Sequence, residues 1–131
     1  MTELVGFQAQ LTILNNAYAA QLPDKIKQIE QAWSHLPLGE WHEEGFQALY
    51  RMVHSLTGSG KIFGFSVLSQ VARNLEEYLN HFVQIKMPPD AEQRNQIQAL
   101  LNELRLSYGD ALFLTTAPRS MSQLALPNHY R

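Results

Sequence analysis

The sequence predicts an all-α fold: an antiparallel four-helix bundle with an additional short N-terminal helix. Three observations predict it. Apolar residues recur three and four positions apart through most of the chain. Strand-type alternation is almost absent. Pro, Gly and Asp interrupt the pattern at intervals that suit short interhelical loops. The 131 residues suffice for one domain, and 45% apolar against 17% charged residues supports a core and excludes wholesale disorder.

Five segments follow in order. The first runs from about Leu4 to Gln21 and is expected to end at Pro23. The second is expected to begin at Pro23, a residue suited to a first helical turn, with Asp24 beside it. Its apolar positions Ile26, Ile29, Trp33 and Leu36 are spaced 3, 4 and 3, and Pro37 and Gly39 stop it. The third runs from about His42 to Phe63, with Phe46, Leu49, Tyr50, Val53, Leu56 and Gly60 along its stripe, and Gly64 ends it. The Trp41-His42-Glu43-Glu44 run reads as a charged helix start rather than a metal site. Adjacent residues point to different faces, and no His-Glu-x-x-His spacing exists. The fourth runs from Ser66, an expected N-cap, to Ile85, with Leu68, Val71, Leu75, Leu79 and Phe82 inward. After the Pro88-Pro89-Asp90 break, the fifth runs from Ala91 to about Phe113. Its stripe of Ile97, Leu101, Leu104, Tyr108 and Ala111 is spaced 4, 3, 4 and 3, a bundle seam. The pattern fades from Thr115. The expected division is a helical domain over 1–114 and a loose tail or linker over 115–131.

Composition bounds the function. A net charge of −2 gives no reason to expect nucleic acid or an anionic membrane as partner. The absence of cysteine excludes disulfides and thiolate chemistry. No signal peptide or membrane span is visible, so a cytoplasmic protein is the expectation. The Gly60-Lys61 pair resembles the end of a phosphate-binding P-loop, but Ile62 replaces the required Ser or Thr and no strand precedes it.

Chemistry concentrates in His54-Ser-Leu-Thr-Gly-Ser-Gly-Lys-Ile-Phe-Gly64. With Val53 at the core centre, a turn of about 100° per residue puts His54 on the flank of the third segment. Gln47, Arg51, Gly58 and Lys61 then lie within about 60° of it. The imidazole is expected near solvent, with a cation on either side along the helix. Glycine in a helix interior costs about 1 kcal/mol relative to alanine, so Gly58 and Gly60 call for a compensating use. Gly60 falls on the inward stripe, where it suits close packing. Gly58 faces outward one turn above His54, a notch through which another protein's backbone can approach the ring. Glu76 lies on the flank of the fourth segment. If the two segments are antiparallel neighbours, its carboxylate can accept from Nδ1–H and leave the Nε2 lone pair free. An exposed histidine is by itself ordinary surface, and Glu76 alone is an ordinary solvated charge or a partner for Arg73. His35, His81 and His129 are read as such surface residues.

Residues from Tyr50 to Glu76 resemble the signature of histidine-phosphotransfer (HPt) domains. His54, Leu56, Gly58, Ser59, Gly64, Leu68, Leu75 and Glu76 fall where that family places them, and the resemblance extends over about residues 5 to 113. It implies that His54 is phosphorylated at Nε2, that Glu76 orients the imidazole, and that Gly58 gives clearance for docking. It implies a phosphocarrier, not an enzyme with its own ATP-binding kinase domain. The implied partners are a response-regulator receiver domain, a histidine kinase, or both. No cofactor is implied, and any metal belongs to the receiver rather than to this chain, which is expected to be a monomer. The family's usual lysine three residues after the histidine is Thr57 here, which puts transfer rate and partner choice in question. Two alternatives stay open: the substrate domain of a chemotaxis-type kinase, and a helical adaptor that binds a response regulator without phosphotransfer.

Overall fold

The computed structural model describes the backbone of residues 2–116 and the side chains of residues 6–108. Four α-helices occur in this span: α1 (Thr2–Ser34), α2 (Glu43–Ile62), α3 (Ser66–Ile85) and α4 (Ala91–Thr116). They contact one another as α1–α2, α2–α3, α3–α4 and α4–α1, with no diagonal pair, so each helix has two neighbours around one core. Tyr18 of α1 bonds Ser59 near the end of α2, and Arg105 of α4 pairs with Glu30 of α1. Short loops join consecutive helices and reverse the chain each time, so neighbouring helices run antiparallel. The tail expected over 115–131 lies, beyond Thr116, outside the described residues.

The separate short N-terminal helix expected from the sequence is not a separate element. α1 continues through Pro23 from Thr2 to Ser34. A proline inside a helix removes one ladder bond and clashes with the preceding turn, at a cost of roughly 3 kcal/mol. Packing outweighs that here. Tyr18, Leu22, Ile26 and Ile29 form one buried stripe on both sides of Pro23, while the proline itself is exposed. Breaking the helix would withdraw half of that stripe from the core.

The core is the meeting of four such stripes. Phe46, Leu49, Val53 and Leu56 come from α2, and Leu68, Leu75, Leu79 and Phe82 from α3, all at 3% exposure or less. Ile97, Leu101 and Leu104 close it from α4. Ala72 takes the fully buried place on α3, and Val71, expected inward, is half-buried at the edge.

The helix ends explain the positions of the loops. α2 starts at His42, whose Nδ1 accepts the Gly45 N–H at 2.9 Å, with Glu43 and Glu44 favourably placed in the first turn. α2 ends in a Schellman closure: Phe65 N–H donates to Gly60 O at 2.8 Å and Gly64 N–H to Lys61 O at 3.2 Å. Gly64 sits at φ +84°, a conformation glycine adopts without strain. The same closure corrects the N-cap expected at Ser66. The cap is Phe65, with no side-chain cap bond, and Ser66 is the first helical residue. The turn has already fixed Phe65, whose ring stacks on Tyr18 at 5.4 Å. α4 opens with a capping box. Gln93 N–H donates to Asp90 Oδ1 at 2.8 Å, and Asp90 N–H to Gln93 Oε1 at 2.9 Å.

Candidate functional site

The longest shared interface, between α2 and α3, positions the site. The helices approach closely at Gly60, where a Cβ would lie 3.4 Å from the Ser69 Cβ and 3.5 Å from its backbone. Ser69 in turn donates from its hydroxyl to the Thr57 carbonyl at 2.7 Å. Gly60 thus lets the two helices close together, and Ser69 locks their register near the turn. One to two turns further from the turn, that register sets His54 of α2 opposite Glu76 of α3.

His54 Nδ1 and Glu76 Oε2 stand 2.5 Å apart. The histidine side chain is 68% exposed and the glutamate side chain 15%. The arrangement is asymmetric: a half-sheltered carboxylate holds one edge of a ring whose other edge is in solvent. A carboxylate can only accept, so Nδ1 is the donor, and in the neutral ring the lone pair is then on Nε2. No hydrogen bond engages Nε2 among the described residues.

Tyr50, one turn before His54, stacks on the imidazole with ring centroids 6.2 Å apart and planes inclined by 17°. Tyr50 thus packs partly against the core and partly against the imidazole. Its i, i+4 spacing to His54 was the available signal. Glu76 on one side and Tyr50 along the helix are thus the described contacts of a mostly exposed ring.

Gly58 is exposed, and nothing lies within 4 Å of where its Cβ would be. Space beside the ring is therefore open. Lys61 and Arg51 are both exposed, and neither forms an ion pair with another described residue. Ile62, one turn beyond Gly58, is 79% exposed, which helical spacing from His54 does not reveal.

Two candidates are turned elsewhere. Thr57 is half-buried and donates its hydroxyl back to the Val53 carbonyl at 3.1 Å. Gln47 donates to Glu43 Oε2 at 3.3 Å. Glu43 is the hub of that corner. The Trp41 indole N–H, and then the Lys86 ammonium and Gln47 amide, bond its carboxylate and hold it below the usual carboxylate range. Arg73 pairs with Glu77 at 3.2 Å, which leaves Glu76 to His54. Of the histidines read as surface, His35 and His81 are exposed, and His129 lies outside the described residues.

No curated protein and no solved structure matches the chain. The sequence profile of the Hpt domain matches residues 15–107, a span that includes all of α2 and α3 and both His54 and Glu76. With a profile match over most of its length and a four-helix bundle built around it, the chain belongs to the Hpt domain family.

Proposed function

We propose that His54 is the phosphoryl acceptor and donor of this chain, taking the group from a histidine kinase or a phospho-receiver and passing it to a receiver-domain aspartate. One observation carries the proposal: the exposed imidazole whose Nδ1 edge is held by Glu76 while Nε2 is open to solvent. Phosphoryl transfer proceeds through a loose, in-line transition state, so positioning and charge neutralisation supply most of the catalysis. The Nε2 lone pair attacks phosphorus as the bond from phosphorus to the donor's carboxylate oxygen breaks. The donor aspartate leaves as a carboxylate with that electron pair. The phosphorylated ring keeps its Nδ1 proton and becomes cationic, and the Glu76 carboxylate against that proton offsets the charge. Transfer onward to a second aspartate is the same step reversed.

Gly58 and the exposed Ile62 give the partner a close approach beside the ring. Lys61 and Arg51 supply positive charge on the same face. They stand in for the lysine that Thr57 replaces, since the Thr57 hydroxyl is committed to its own helix. The chain acts as a monomeric carrier in the cytoplasm. No described helix is long and apolar enough to cross a membrane.

The test is phosphotransfer from a panel of labelled receiver domains and kinases. The chain is expected to take up acid-labile, alkali-stable label, and His54→Gln to take up none while keeping its helical content. Label persisting on His54→Gln, or no label on the unmodified chain from any donor, would overturn the assignment.

A further inference from the structure

A second concavity lies at the end of the bundle where α1 stops and α2 and α4 begin. It measures about 320 Å³, within the size range of small-molecule sites. None of His54, Gly58, Lys61 and Glu76 lines it. Its lining includes three aromatic residues, Trp33 from α1, Trp41 from the following loop and Phe46 at the start of α2, together with Pro88 and Pro89. Trp41 and Phe46 pack at 4.8 Å between centroids, and the Trp41 indole is fixed by its bond to Glu43 at 2.8 Å. Such walls need little reorganisation to take up a planar guest.

Charge at the cavity is uneven. Arg94, half-buried on the first turns of α4, lines it and makes no ion pair with another described residue. Its one described side-chain hydrogen bond is to the Pro89 carbonyl at 3.2 Å, which leaves most of the guanidinium's five donors unengaged. Glu43, the carboxylate of this corner with bonds to its neighbours, is taken by Trp41 and Lys86. Glu40 also lines the cavity but is exposed, so water screens it more than it screens Arg94. A half-buried guanidinium without a counter-ion, beside two indoles and a phenyl ring, suits one kind of guest. A carboxylate can bond Arg94 in the bidentate geometry that guanidinium favours, while an aromatic body fills the apolar space.

We propose that this cavity is a binding site for small planar aromatic carboxylates, with Arg94 holding the acid and Trp33 and Trp41 sandwiching or edging the ring. It is separate from the phosphoryl-accepting face and does not depend on the assignment of His54.

The two tryptophans of the chain both line the cavity, so both report on it. The full chain, labelled with ¹⁵N, would be titrated with naphthalene-2-carboxylate while the two indole N–H signals are followed. A parallel titration uses naphthalene-2-methanol, the neutral counterpart of similar shape. The acid is expected to shift both indole signals saturably, and the alcohol to bind about tenfold or more weakly. Arg94→Met is expected to remove that preference while leaving the signals of the His54 face unchanged. No saturable shift of either indole, or equal affinity for acid and alcohol, would overturn the proposal. That comparison is made on the unmodified chain, so it decides the matter even if Arg94→Met fails to fold.

Discussion

At the scale of single residues, the account rests on how little holds His54 and how specifically. Among the described residues its ring has one hydrogen bond, to Glu76, and one stacking neighbour, Tyr50. Glu76→Gln keeps the size but allows the amide to present a donor to Nδ1 and so favour the wrong tautomer. Transfer to and from His54 is expected to slow roughly 10- to 100-fold, by analogy with the loss of the outer hydrogen-bond partner of a metal-bound histidine. Rapid-quench transfer rates against unchanged thermal melting would show it. Gly58 offers a sharper separation of stability from function. A methyl group there meets nothing, so Gly58→Ala is expected to stabilise the fold by about 0.5–1 kcal/mol in urea titration. Gly58→Leu is expected to keep that fold and slow transfer by filling the notch.

Helical spacing made legible which α2 residues share the face of His54, while the contact with Glu76 depended on α2 and α3 being antiparallel neighbours. What spacing does not give is the second partner of a side chain. Thr57 and Gln47 lie at the right angles, yet one bonds its own helix and the other bonds Glu43. Those alternatives depend on neighbours that only the folded chain supplies.

At the scale of elements, α1 shows where local rules were overridden. Pro23 is a strong local stop, and the sequence reading broke the helix there. The apolar stripe from Tyr18 to Ile29 crosses it without a shift in phase, and burial of that stripe decides the outcome. Pro23→Ala is therefore expected to stabilise the fold by about 1–3 kcal/mol. That is the helix-interior cost of proline, less the entropy that proline removes from the unfolded chain. Little or no gain in denaturant midpoint would mean that Pro23 sits at a helix start after all. The turn between α2 and α3 makes the opposite point. Gly64 was legible as punctuation, but the displacement of the cap from Ser66 to Phe65 follows from the closure that ties Phe65 N–H to the Gly60 carbonyl.

At the scale of the whole molecule, four stripes share one core, so damage at its centre should be felt everywhere. Leu75 is fully buried one position before Glu76. Leu75→Ala is expected to cost about 2–5 kcal/mol and to loosen the α2–α3 register on which the His54–Glu76 contact depends. Alkaline pH tests the packing at the other end. Burial raises the Tyr18 phenol above its ordinary value of 10.0, more than its bond to Ser59 lowers it. The folded state thus holds that proton more tightly than the unfolded chain. Tyr18's contribution is complete below about pH 10 and is lost as pH rises through the folded value. Tyr78 is also raised, chiefly by burial, so the unmodified protein should lose stability there through both groups. In Tyr18→Phe, the fall in stability above pH 10 is expected to be shallower, as read by denaturant midpoints across that range.

The most direct test of the central claim is the state of the His54 ring, read by ¹⁵N NMR of selectively labelled histidine before and after phosphorylation. The account predicts a proton on Nδ1 and a lone pair on Nε2 in the free protein, with Nε2 as the atom that gains the phosphoryl group. A free ring protonated at Nε2, or a phosphoryl group on Nδ1 or on another residue, would contradict it.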